Sequence, residues 1–258
     1  MNMRWAIGSA AHVALFCVFA HVTVASAAEV NVLSARAIAT VLNEIGSEFE
    51  QTSGHRLNVM SGLPSEFIKH IDAGVPVDLV VSGSAPVDRL VQDGKLVAGT
   101  RTDLVRSGIG VGVRVGAPKP DISSVEAFKR ALLDAKSIGY LKVGSGVYLA
   151  ALLDRLGIAE AIAPKVTRLD TDIVSQLVAK GEIELGMVVI TQIMTTPGVE
   201  LVGPLPPEIQ SYITFTGAVS ANARVPDTAR ELLQFLRGPN ALRVIKAQGM
   251  EPCPSTPC

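Results

Sequence analysis

The unit this sequence repeats is an apolar strand that enters a helix directly, through a turn of small and hydroxyl residues. Residues 30–33 are an apolar strand, Ser34-Ala35-Arg36-Ala37 is the turn, and a helix runs from there to about Phe49. Ile38, Val41, Leu42, Ile45 and Phe49 recur at i, i+3, i+4 and i+7 intervals, one buried stripe of a helix. Corners of the same kind stand at residues 62–65, 82–85 and 144–147 and at Thr191. A chain of alternating strands and helices has one economical solution, an α/β architecture with mostly parallel sheets flanked by helices. Each corner also gathers free backbone N–H groups at the positive end of a helix dipole, which is a ready anion site. Arg36 adds a cation to the first corner. Several of the corners are expected to face one cleft.

The first 28 residues are a separate segment. Arg4 is their only charge, an apolar run spans residues 10–20, and Ala25-Ser26-Ala27 has the small-residue spacing of a cleavage site. This is the pattern of a secretory signal peptide, cut after Ala27 or Ala28. Its removal takes away Trp5, the single tryptophan, and Cys17, one of three cysteines. Cys253 and Cys258 remain in a Pro-rich tail, either as a disulfide or as two thiols. The net charge of −1 over 258 residues carries no basic excess for nucleic acid.

Further elements follow in order. Strands are expected at residues 56–60, 77–82, 104–115, 138–143, 185–190, 199–202 and 213–220. Gly108, Gly110 and Gly112 alternate with apolar residues in the third of these, which reads as a strand whose bare face lets neighbours approach closely. No G-x-G-x-x-G is present. Ser84 is expected to cap a helix, Ser123-x-x-Glu126 to form a capping box, and one of Asp170, Thr171 and Asp172 to cap a helix bearing Ile173, Val174, Leu177 and Val178. Helices over residues 226–237 and 239–248 each begin with proline.

The residues favour binding over catalysis. Ser34, Ser82, Ser84 and Ser145 stand at strand ends or helix starts, and ligands of α/β proteins gather at the carboxyl ends of strands. Arg36 suits bidentate recognition of a carboxylate or phosphate. Tyr148 serves either the site or the core. His55 and His70 stand alone, without a second metal ligand at a useful spacing, and Gly144-Ser145-Gly146 is not a nucleophile elbow. No cofactor, metal site or catalytic group is expected.

The order of these pieces resembles the periplasmic molybdate-binding protein family, the solute receptors of ABC importers. The resemblance is carried by the opening VLSA corner, IDAGVPVDLVVS from Ile71, GVYLAALLDRLG from Gly146, GMVV from Gly186, VGPLP from Val202 and FLRGPNA from Phe235. It implies a two-lobed periplasmic-binding-protein-like fold, with a hinge of two crossing segments and a small anionic ligand between the lobes. Residues 29–107 and 201–250 would form the first lobe, residues 108–200 the second, and residues 251–258 a flexible tail. It further implies a monomer that docks on an ABC permease.

The family's oxyanion shell maps only in part. Its first-corner serine falls on Ala37, its second-corner serine on Leu63 or Pro64, and its late tyrosine on Val189. Ser145 adds a hydroxyl, Thr171 takes a position that supplies an N–H, and Ser65 remains a donor beside the second corner. Molybdate or tungstate, another oxyanion and a small organic carboxylate stay open as ligands. A transporter-independent sensor or scavenger, or a cryptic hydrolytic activity, stays open as the role.

Overall fold

The structure is a computed structural model that describes residues 27–253 and 257–258. The expected leader, apart from Ala27 and Ala28, lies outside the described residues. The chain begins β1 (Glu29–Ala35), α1 (Arg36–Ser53), β2 (Arg56–Gly62), α2 (Pro64–Asp72), β3 (Leu79–Gly83) and α3 (Ser84–Gln92). A long β4 (Thr102–Arg114) leads to α4 (Val125–Asp134), β5 (Ile138–Leu141), α5 (Ser145–Arg155), α6 (Ala159–Ile162), β6 (Val166–Leu169) and α7 (Val174–Lys180). Then follow β7 (Leu185–Val189), α8 (Ile190–Thr195), β8 (Val199–Pro204), β9 (Tyr212–Val219), α9 (Pro226–Phe235), α10 (Pro239–Ala247) and β10 (Glu251–Pro252).

The main path of the sheet is β2-β1-β3-β9-β4-β7-β5-β6. β1, β2 and β3 are parallel, as are β5, β6 and β7, while β9 runs antiparallel to both β3 and β4. β4 is shared between two halves. Its first part lies between β9 and β10, and its second part between β7 and β8. Gly110 and Gly112 make the second part possible. A Cβ on Gly110 would stand 2.9 Å from Ile190, and one on Gly112 would stand 3.2 Å from Ile193, so α8 lies directly on the bare face of the strand.

Strand directions fix where the corners point. β4 leaves the first half in the direction in which β1 and β3 end. β7 runs antiparallel to β4, so β7, β5 and β6 end back toward the first half. The carboxyl ends of both strand sets therefore face each other across the junction.

The apolar core divides accordingly. One cluster gathers Phe49, Phe67, Leu79 and Phe215 with Leu232 and Val244 of the last two helices. Another gathers Ile109, Phe128, Leu132, Ile138, Leu152 and Met187 together with Leu205 and Ile209. Two crossings join the halves, β4 at Gly108–Ile109 and the segment entering β9. The Gln210 side chain ties them together. It accepts from the Ile109 N–H at 3.0 Å and the Ser211 N–H at 2.8 Å, and donates to the Ile109 carbonyl at 3.0 Å.

Several expected caps are corrected. Ser84 is the first helical residue of α3, and its hydroxyl bonds Thr216 Oγ1 at 2.8 Å instead of capping. Ser124, not Ser123, caps α4 by accepting from Ala127 N–H at 3.2 Å. No side chain caps α7: Asp170 pairs with Lys142 at 2.7 Å and Asp172 is held by Gln192. Cys253 and Cys258 form a disulfide, and the Cys253 N–H reaches the Leu104 carbonyl at 3.0 Å, which ties the described end of the tail to β4. The strand β6 emerges only in the structure, and the helix expected at the Thr191 corner is the short α8.

One buried carboxylate stitches the first half. Asp78 accepts from the backbone N–H of Asn31 at 2.9 Å, Arg224 at 2.6 Å and Val225 at 3.2 Å, joining β1 to the start of α9. Asp78→Ala orphans these donors and is expected to lower unfolding free energy by about 2–4 kcal/mol. Asp93→Ala removes only a surface partner of Arg89 and is expected to cost under about 0.5 kcal/mol. Urea unfolding of both variants checks the contrast.

Candidate functional site

The first corner carries a cation and no acid. β1 ends at Ala35 in an extended conformation and α1 starts at Arg36, with no acidic residue in its first turn and no side-chain cap. The N–H groups of that turn, Ala37 included, are left to whatever occupies the cleft. Arg36 is exposed and forms no ion pair with any other described residue. Ser34 is fully buried just below, its hydroxyl donating to the Ala35 carbonyl at 3.0 Å.

The second corner is closed to anions. Leu63 precedes α2, but its N–H donates to the Glu66 carboxylate at 2.7 Å, and Pro64 has no N–H. Ser65 is exposed on the first turn. The carboxylate of Glu66 fills the place where a ligand anion would sit.

The third corner, at the end of β3, holds Ser82. Its side chain is fully buried, and its hydroxyl is one of two buried side-chain atoms with no hydrogen-bond partner among the described residues. The other is Gln192 Oε1, in the first turn of α8. A buried polar atom without a partner costs free energy that a ligand contact restores.

On the facing half, α5 begins at the buried Ser145 after Gly144, whose φ of 59° suits glycine. A Cβ on Gly146 would stand 1.5 Å from the Leu141 carbonyl oxygen, so the helix start is pressed against the strand end. Thr171 is exposed beyond β6, its carbonyl accepting from the Ile173 N–H at 2.9 Å. Val189 ends β7 as a buried apolar residue and offers no hydroxyl. Tyr148 turns away: its hydroxyl donates to the Ile209 carbonyl at 2.8 Å and its ring packs on the second core cluster.

The residue that stands opposite Arg36 is Asp172, which the sequence favours as a cap over a ligand and allows as a partner that orients Arg36. Burial pushes its carboxyl above the usual range, against the opposing effects of the Gln192 hydrogen bond and the positive charge of Arg36. The Gln192 amide donates to Asp172 Oδ1. Gln192 escaped notice because it follows a strand end by only three positions on a six-residue helix. Its neighbour Thr191 is committed elsewhere, to the Ser107 hydroxyl and the Gln248 carbonyl, each at 3.2 Å.

The junction thus presents a cation and helix N–H groups on one side, a half-buried carboxyl on the other, and two buried oxygen atoms without partners among the described residues. That is a donor set for a small anion that also carries a proton to give or receive. Among the described residues no group of three His, Cys, Asp or Glu could hold a metal. A cavity of about 360 Å³ lined by Pro118, Arg130, Asp134 and Glu184 lies elsewhere, beside the amino ends of β5 and β7.

Because the folded-state pKa of Asp172 is raised, its ionised form is disfavoured by folding. That cost is absent at low pH, where the carboxyl is neutral in both states, and full above the folded-state pKa. Asp172→Asn keeps an acceptor for Gln192 and removes the charge. It is expected to raise the melting temperature at pH 7, with the gain vanishing near pH 3, about one unit below the ordinary carboxylate value. Thermal melts of both proteins across that range check the sign.

Comparison with known proteins places these features in a lineage. Residues 30–251 match the family model described as bacterial extracellular solute-binding protein. A protein from a Pseudomonas species named aconitate isomerase is 32% identical over 232 residues, covering 88% of each chain. The molybdate-binding protein ModA of Azotobacter vinelandii is 26% identical over 235 residues, covering 87% of this chain and 90% of its own. The solved periplasmic molybdate-binding protein of Azotobacter vinelandii superposes with a TM-score of 0.72 at 18% identity, over 86% of this chain and 98% of that one.

Proposed function

The chain belongs to the bacterial extracellular solute-binding proteins, and from that membership we propose that it captures a small organic polycarboxylate between two lobes in the periplasm. The lobes are residues 29–107 with the segment after the return crossing, and the residues between. The packing of Leu205 and Ile209 in the second core cluster supports a return at Gln210 instead of residue 201. Residues 1–28 direct export, and the liganded monomer delivers its cargo to an ABC permease.

The observation that carries this reading is Arg36. A guanidinium without an ion-pair partner, at a helix N-terminus free of acids, is a carboxylate site. A molybdate shell of neutral hydroxyls and N–H groups is poorly supplied here. The second corner is occupied by Glu66, and Ala37 and Val189 bring no hydroxyl. Of the two proteins compared by sequence, the one with the higher identity is named for aconitate, propene-1,2,3-tricarboxylate. That name also supports a second reading, in which the protein converts the tricarboxylate instead of handing it on; Asp172 facing Arg36 favours it.

Calorimetry with aconitate isomers, other di- and tricarboxylates, molybdate, sulfate and phosphate tests the capture. Polycarboxylate binding is expected to exceed molybdate binding. Arg36→Ala is expected to weaken it about 10- to 100-fold, the loss of a charge-assisted hydrogen-bond pair. Tight molybdate binding that survives Arg36→Ala would overturn the reading.

A further inference from the structure

We propose that Asp172 carries a proton between two carbons of a bound unsaturated polycarboxylate, so that the cleft shifts the double bond of its ligand. The inference rests on polycarboxylate capture in the cleft and goes beyond it by assigning a reaction and the group that performs it.

The argument starts from position. Asp172 follows the carboxyl end of β6, and Arg36 follows the carboxyl end of β1; the strand directions bring those ends face to face. Asp172 lies within the field of Arg36, so a ligand carboxylate on the guanidinium has its neighbouring carbons on the side of the acid. Gln192 fixes one carboxylate oxygen by donating to Oδ1, and Oδ2 has no partner among the described residues. A carboxylate with one oxygen anchored and one open, partly withdrawn from water, is placed as a general base. Burial raises its basicity above that of a surface aspartate. Asp170 next door does not compete for the role, being exposed and paired with Lys142.

The step balances without any added reagent. Oδ2 of Asp172 takes a proton from the CH2 that lies between a carboxylate and the C=C of the ligand. The electron pair left behind spreads over three carbons and into the attached carboxylates. Arg36 and the first-turn N–H groups of α1 stabilise that added charge. Asp172 then returns the proton to the far carbon. One C–H bond breaks and one forms, the double bond moves by one position, and nothing is oxidised or reduced. The geometry of the new double bond follows from the conformation in which the three-carbon unit is held. The unpartnered Ser82 hydroxyl and Gln192 carbonyl oxygen are buried polar atoms available to hold it.

The test uses the full mature chain and trans-propene-1,2,3-tricarboxylate, following isomer composition by proton NMR in D2O with calorimetry in parallel. The wild type is expected to interconvert the cis and trans isomers, with deuterium entering the ligand only to the extent that the proton held on Asp172 exchanges with solvent. Asp172→Asn is expected to keep binding while losing turnover by about 100-fold or more, the scale of a general base. Asp172→Glu is expected to restore part of the rate, which a purely structural role would not produce. Wild-type binding without interconversion overturns the inference and leaves capture standing, as does turnover by Asp172→Asn at the wild-type rate. Absence of any polycarboxylate binding overturns the capture and the reaction together.

Discussion

β4 is hydrogen-bonded to β9 and β10 along its first part and to β7 and β8 along its second, so one continuous strand belongs to both halves of the molecule. Everything at the junction depends on that sharing. Because β1 and β3 run with β4, and β7 and β5 run against it, the ends of both parallel sets are aimed at the same gap. Had β7 joined β4 in parallel, its corner and that of β5 would open on the outer surface of the second half. The glycines of β4 are part of the same constraint. Without side chains at Gly110 and Gly112, α8 packs close enough for Gln192 to reach Asp172.

The corners built by this geometry share a backbone plan and differ in charge. A helix N-terminus alone is worth about 0.3–1 kcal/mol to an exposed anion. A charge-assisted hydrogen bond adds about 1.5–3 kcal/mol. Side chains therefore decide which corner binds. The α1 corner has a guanidinium and no acid; the α2 corner carries its own carboxylate from Glu66 and is self-satisfied. The α8 turn supplies a glutamine that orients an acid. A rim so unequal would orient a ligand as well as hold it, which a near-spherical oxyanion does not need.

The fold was legible in the sequence because burial writes a regular pattern. The stripe from Ile38 to Phe49 falls where the pattern puts it, and the strand expected at 77–82 runs from Leu79 to Gly83, because each is fixed by which face meets the core. Caps were legible only in part, since a polar side chain at a corner has competing partners from distant strands. Thr216, 132 residues away, takes the hydroxyl of Ser84, and Lys142 takes Asp170. The four-residue β6 and six-residue α8 are too short for any period to declare itself. Arg36 was visible as a cation at a helix start. Asp172 was visible only as one of two acids near the pocket, because its place opposite Arg36 follows from strand directions that carry it across the junction.

Arg36 and Asp172 face each other across the junction without forming an ion pair. Each stands on a different half, and their attraction grows as the gap narrows and loses water. A ligand with only negative charge satisfies Arg36 and repels Asp172 unless that carboxyl is protonated, which its burial favours. A ligand with an acidic C–H meets both groups, since it offers carboxylate to the cation and a proton to the acid. Gln210 holds the two crossings to each other through three hydrogen bonds to backbone, and its side chain packs against Gly108. On the proposed reading the two groups that meet the ligand stand on opposite sides of the gap, so binding energy spent on holding the ligand between them also sets the acid beside the carbon it would act on.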